Sequence, residues 1–265
     1  MNWDISKISI PVFDLKKSKE FYDFILNDLN GNAHINENED ECLIGSGDCE
    51  LRLYSLKHDL APLSRRTFPT ILVKNFEQKI DVFNKNKVNF KILNRKPTTI
   101  LIQETSFNYI ELMDIKDFKK TNFHQDVINW GFHHINLESY DVRESVNFFK
   151  NFLNLDEGTW QAPKTLGDVN IKKDQLAVFP LNKKHGGLHI NKADFTFSWR
   201  NKFIHNPTIG GHPAFSVKNI KEIIAKLKKN NIPFTDAKVY AMPGIYQVYL
   251  YDPNANVIEI NQSIG

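Results

Sequence analysis

The feature that most constrains this chain is that it repeats itself. HINLESYD at 134–141 lies over KISIPVFD at 7–14, HPAFSVKNI at 212–220 over FPTILVKNF at 68–76, and NVIEI at 256–260 over NYIEL at 108–112. Each of the first two pairs is strand-like and runs into a helical stripe. Leu15, Tyr22, Ile25 and Leu26 follow one segment, and Val142, Val146, Phe149 and Leu153 follow its partner. Phe76, Ile80 and Phe83 answer to Ile220, Ile223, Ile224 and Leu227 in the second pair. Further strands are predicted at 41–46, 49–54, 98–103 and 108–113, and again at 175–180, 186–190, 245–251 and 256–260. The chain therefore reads as four strand–helix–strands units of about sixty residues in an α+β fold. One helix cannot cover a short sheet alone, so units pair around shared cores. The expected domains are 1–114 and 131–265, with the polar, unpatterned linker 115–130 between them.

Composition removes several function classes. The 34 Lys and Arg nearly balance 31 Asp and Glu and are scattered, which argues against nucleic acid and against an anionic membrane as partners. No apolar run reaches the ~20 residues of a membrane span and MNWDISKIS has no signal-peptide core, so the expected location is cytoplasmic. Cys42 and Cys49 lie in one hairpin without further cysteines and read as inert thiols. The 20 phenylalanines suit packed sheets better than an aromatic-lined pocket.

The last quarter carries the chemistry. Glu259 stands between Ile258 and Ile260, so strand alternation turns its carboxylate away from both. A carboxylate in such a strand needs a cation or several donors; His212, leading the strand GHPAFSV, is one candidate partner, and a metal shared by the two is another.

This arrangement resembles the vicinal oxygen chelate superfamily, which includes glyoxalase I, the fosfomycin and bleomycin resistance proteins and the two-domain extradiol dioxygenases. The resemblance implies two domains of paired βαβββ units, open barrel-like sheets with helices outside, and metal ligands on the first and last strands of the units. It places His134, His212 and Glu259 as ligands, with His189 at a fourth ligand position; the repeat offset that lays His134 over Lys7, together with strand alternation, favours His134 over its neighbour His133. The same four positions in the N-terminal half hold Lys7, Arg52, Phe68 and Glu111, so that half is expected to have lost its metal, with Lys7 or Arg52 neutralising Glu111. Two imidazoles and a carboxylate suit a divalent ion with open positions: Fe(II) is favoured, with Mn, Zn or Ni as alternatives. Tyr249, ten residues before Glu259, matches the tyrosine that hydrogen-bonds bound substrate in extradiol enzymes. The implied activity is ring cleavage of a catechol-type chelating small molecule, with Tyr249 and His189 as catalytic residues. A glyoxalase-like lyase or isomerase, in which His189 would be a ligand, and a non-catalytic drug- or metabolite-binding resistance protein are the alternatives. A homo-oligomer is left open.

Overall fold

The structure is a computed structural model that describes residues 3–26, 34–46, 48–61, 66–93, 96–118, 130–160, 172–181 and 186–264. The N-terminal half contains β1 (Trp3–Val12), α1 (Leu15–Leu26), β2 (His34–Glu37), β3 (Glu41–Ser46) and β4 (Cys49–Ser55). A second unit of the same order follows: β5 (Phe68–Val73), α2 (Phe76–Lys85), β6 (Phe90–Leu93), β7 (Thr99–Gln103) and β8 (Tyr109–Asp114). The C-terminal half opens with β9 (Trp130–Ser139), α3 (Val142–Leu153), β10 (Leu176–Pro180), β11 (Gly187–Lys192) and a short α4 (Phe197–Asn201). It ends with β12 (His212–Val217), α5 (Ile220–Lys229), β13 (Phe234–Lys238), β14 (Ile245–Tyr251) and β15 (Val257–Ser263). Three of the four units are βαβββ; in the third, two strands follow α3 among the described residues. Most of the expected linker, 119–129, lies outside those residues.

The strands form two mixed sheets, ordered β2-β3-β4-β1-β5-β8-β7-β6 and β10-β11-β9-β12-β15-β14-β13. In each, the first strands of the two units pair antiparallel, and each first strand pairs in parallel with the last strand of its own unit. Four segments far apart in sequence thus become neighbours at the sheet centre. The open sheets and outer helices are the α+β architecture expected. Three strands escaped the sequence reading, β2, β6 and β13, and all three are sheet edges. An edge strand packs against one neighbour only, and FKIL and FTDAK are correspondingly short and mostly half-buried or exposed. The segment between β11 and β12, where no element was predicted, contains α4.

Helix amphipathicity follows the predicted stripes. Tyr22, Ile25 and Leu26 of α1 and Val142, Val146, Phe149 and Leu153 of α3 are buried, and Asp141 caps α3 by accepting from the amides of Arg143 and Glu144. These faces and the helix-side residues of both sheets form one apolar core running through both halves. The first strand of each half carries a β-bulge at the same repeat position: the register skips Ser6 in β1 and His133 in β9. The extra residue reverses alternation. Trp130 and Phe132 join the helix-side core before the bulge, Ile135 and Leu137 join it after, and His134 is turned onto the opposite face. Among the described residues, no helix is long and apolar enough to cross a membrane.

Candidate metal and substrate site

His134, His212 and Glu259 arrive at one point from β9, β12 and β15, the three adjacent strands at the centre of the second sheet. Their ligand atoms all lie within 4.8 Å of one another, and all three residues are buried. Glu259 Oε2 is 3.7 Å from His134 Nε2 and 3.5 Å from His212 Nε2. His212 Nδ1 lies 2.8 Å from the Pro207 carbonyl, an acceptor only, so that nitrogen carries a proton and, in the neutral ring, Nε2 is a lone pair. Nε2 is buried without a hydrogen-bond partner. A lone pair and a carboxylate oxygen 3.5 Å apart, both acceptors, lack a positive charge between them. A divalent cation supplies it, so the donor set and its orphaned nitrogen fit such an ion.

The carboxylate is held from behind. Gln247 Nε2 donates to Glu259 Oε2 at 3.0 Å and Asn261 Nδ2 donates to Oε1 at 2.8 Å. Burial alone would favour the protonated acid, but the His212 imidazole in its charged form and the Asn261 amide outweigh it and hold the carboxyl below its usual range. His134 is positioned by its neighbour: the Nδ1 atoms of His133 and His134 are 2.8 Å apart, which needs one ring to donate and the other to accept. Sequence reasoning missed Gln247, Asn261 and this role of His133. The signal was alternation, since Gln247 and Asn261 stand two residues from Tyr249 and Glu259 and share their face.

Tyr249 lies beside the cluster, its ring 5.6 Å from that of His212, and Gln247 Nε2 is 2.8 Å from its hydroxyl. Burial and the adjacent Glu259 carboxylate push its pKa well above the ordinary value, so the phenol keeps its proton. His189 is near but outside the three-residue set; it stacks on His134 with ring centroids 4.0 Å apart and meets Trp160 edge-on. His205, the other histidine of that region, packs on Thr235 and Tyr251 away from the cavity. Above the cluster opens a cavity of about 560 Å³ walled by Trp160, Leu176, Phe197, Tyr240 and Met242, within the range of small-molecule sites.

The equivalent positions of the N-terminal half are filled differently. Arg52 Nη1 lies 3.1 Å from Glu111 Oε2, both side chains buried, and the hydroxyls of Thr70 and Thr99 donate to the same carboxylate at 2.6 and 2.9 Å. Of the two cations expected for this role, Arg52 takes it, while Lys7 pairs with Glu50. Phe68 packs with Tyr54, Leu60 and Leu101 where His212 stands in the other half.

No protein-family model and no curated protein matches the chain. Solved structures do. A 2,2',3-trihydroxybiphenyl 1,2-dioxygenase from Sphingomonas wittichii superposes with a TM-score of 0.68 at 12% identity, over 99% of this chain and 91% of that one. A Mn(II)-bound glyoxalase from Novosphingobium aromaticivorans gives 0.65 at 13% identity, over 99% and 82%. Homoprotocatechuate 2,3-dioxygenase from Arthrobacter globiformis gives 0.66 at 16% identity, over 97% and 79%. Four repeated units, paired by their first strands into two open sheets and matched over nearly their whole length by these proteins, are the fold of these dioxygenases and this glyoxalase, and that is the fold of this chain.

Proposed function

We propose that the chain is a metal-dependent enzyme that opens the ring of a catechol-type substrate, with His134, His212 and Glu259 holding the metal. The observation that carries this reading is the buried, unpartnered His212 Nε2 facing Glu259, beside a third ligand atom and beneath a cavity. A divalent ion there supplies Lewis acidity and, as Fe(II), the electron that dioxygen chemistry needs; Mn, Zn or Ni are compatible with the same donors. The chain's own groups do the rest. Tyr249, kept protonated, donates a hydrogen bond to the ionised oxygen of the bound diol. His189 stands over His134 at the cavity wall, in a place to accept the second hydroxyl proton and return it to the product. Trp160, Leu176 and Met242 keep bulk water from the reacting ring.

Anaerobic loading with Fe(II), addition of a panel of catechols and recording of oxygen uptake with a yellow ring-opened product tests the proposal. Uptake is expected, and His189→Ala should lower turnover with metal content kept. The similarity to a Mn(II)-bound glyoxalase supports a second reading, a lyase or isomerase acting on a chelated carbonyl with His189 as a further ligand. No uptake with any catechol, together with Ni(II) or Zn(II) binding that needs His189, would establish that reading in place of the first.

A further inference from the structure

Asn136 and Asn191 stand two residues beyond His134 and His189 on the parallel neighbours β9 and β11, and all four line the cavity. Asn136 lies level with His189 across the β9–β11 pair, and Asn191 stands two residues, about 6–7 Å, further along β11. Asn191 is 6% exposed, and its Nδ2 contacts two acceptors, the carbonyls of Lys192 and Thr208, both at 3.3 Å. Exchanging its amide oxygen and nitrogen would set an oxygen against both carbonyls, so the orientation is determined. Oδ1 is consequently left buried with no hydrogen-bond partner, and Asn136 Oδ1, on the neighbouring strand, also has none. Unpaired buried acceptors are uncommon in folded chains, and these two occupy one wall of the cavity that holds the metal ligands. Neutral amide oxygens ask for a donor, and they repel an anionic group presented to them.

Resting on the reading of this cavity as a chelate-binding site, we propose that Asn191, with Asn136, determines specificity by accepting a hydrogen bond from a neutral hydroxyl or N–H group of the substrate. That group lies beyond the two oxygens directed at His134, His212 and Glu259. The substrate class is thus a chelating ring bearing an additional uncharged donor. An analogue with a methyl group in its place fills the same volume and leaves both amide oxygens unpaired, which is the discrimination such sites achieve.

Zn(II)-loaded protein, which supports no oxygen chemistry, allows binding to be measured by calorimetry without turnover. Hydroxyl and methyl probes are compared in pairs on two chelating heads, 3- and 4-substituted catechols and ring-substituted benzohydroxamates. At one ring position the hydroxyl probe should bind about tenfold tighter, and Asn191→Leu should reduce the ratio to about one. If Asn191→Leu fails to fold, Asn136→Leu replaces it with the same expectation. Equal binding of each pair to the wild type, or a preference that survives substitution, overturns the proposal. Catechols that bind the Zn(II) form but give no oxygen uptake with the Fe(II)-loaded protein, or only hydroxamates binding, would sink the ring-opening reading and leave the asparagine preference measurable. Binding of neither head would overturn both.

Discussion

Glu111 and Glu259 occupy the same place in the repeat and differ in what balances their charge. Glu111 is met by the Arg52 guanidinium and two threonine hydroxyls, Glu259 by two amides and two imidazoles whose nitrogens stop at 3.5 and 3.7 Å. Removing one partner of a buried ion pair strands the other, so Glu111→Gln should destabilise the protein by about 3 kcal/mol in urea titrations. Metal binding in the C-terminal half should be unchanged; a loss of stability below about 1 kcal/mol would mean that the pair is not buried as described. Gln247 acts on the other carboxylate by bridging Tyr249 and Glu259. Gln247→Leu should therefore weaken metal affinity about 10–100-fold, read by competition with a chromophoric chelator, while the fold is retained. His205 gives a pH dependence. Its Nδ1 faces the Thr235 hydroxyl, whose oxygen already accepts from the Ile204 and His205 amides, so the hydroxyl proton points at Nδ1 and the ring is neutral. Burial lowers its pKa to about 4. A folded value below the unfolded ~6.5 means stability present above pH ~6.5 and lost as the pH falls toward 4. The ring is out of contact with solvent but lies under a thin layer of protein, so the loss should be about 2 kcal/mol, and His205→Gln should flatten the urea-midpoint profile over that window.

At the scale of elements, what was legible in the sequence was whatever the repeat duplicates. The helical stripes, the central strands and the four ligand-equivalent positions all occur twice, so each copy checks the other. The edge strands β2, β6 and β13 lacked that support, because a strand with one neighbour leaves little alternation to read. The bulge at His133 was hidden for a different reason: alternation counted from Trp130 or Phe132 places His134 in the helix-side core, and only the register with β12 shows the reversal. The supporting groups Gln247 and Asn261 were written in the pattern but carry no special residue type. A turn makes the approach to His212 equally specific. Gly210 and Gly211 both have positive φ, 75° and 71°, but a Cβ on Gly210 meets nothing within 4 Å whereas one on Gly211 would lie 2.4 Å from the Asn136 carbonyl oxygen. Gly210→Ala should then cost only the left-handed backbone term, about 1 kcal/mol. Gly211→Ala must in addition push β12 from β9, and the expected result is a larger loss of stability with weakened metal binding. Equal effects of the two substitutions would show that the β9–β12 contact does not position the site.

Across the whole molecule the repeat also governs how the halves hold each other. The β7–β8 turn of the N-terminal half reaches β9 and α3: Glu104 Oε2 accepts from Ser145 Oγ at 2.9 Å, Ser106 Oγ lies 2.9 Å from that of Ser139, and Asn108 Nδ2 donates to the Glu138 carbonyl at 2.8 Å. The β14–β15 turn of the C-terminal half reaches β1 and α1 in return. Tyr22 donates to Asp252 Oδ2 at 3.0 Å, Asn254 Nδ2 donates to Ser18 Oγ at 2.9 Å, and Asn256 Nδ2 donates to the Pro11 carbonyl at 3.3 Å. Each turn clasps the strand–helix junction of the opposite half, and a continuous apolar core lies between the two clasps. Two halves joined this way have no surface along which one can unfold and leave the other intact, since each would expose its partner's apolar helices. The wild-type chain should therefore unfold as one unit, with amide exchange in β1 and β12 released at the same urea concentration. Glu104→Ala leaves the Ser145 hydroxyl, the backbone amides of Ser106 and Asn108 and the Asn108 side-chain amide without their acceptor, and Asp252→Ala frees the buried Tyr22 hydroxyl, so each should lower stability by about 2–3 kcal/mol. Either substitution should destabilise both halves together, while the double variant, with both clasps open, should separate the exchange transitions of the two sheets. Separate transitions already in the wild type would mean that the metal site stands on the C-terminal half alone and that the N-terminal half, with its Arg52–Glu111 pair, contributes nothing to holding it.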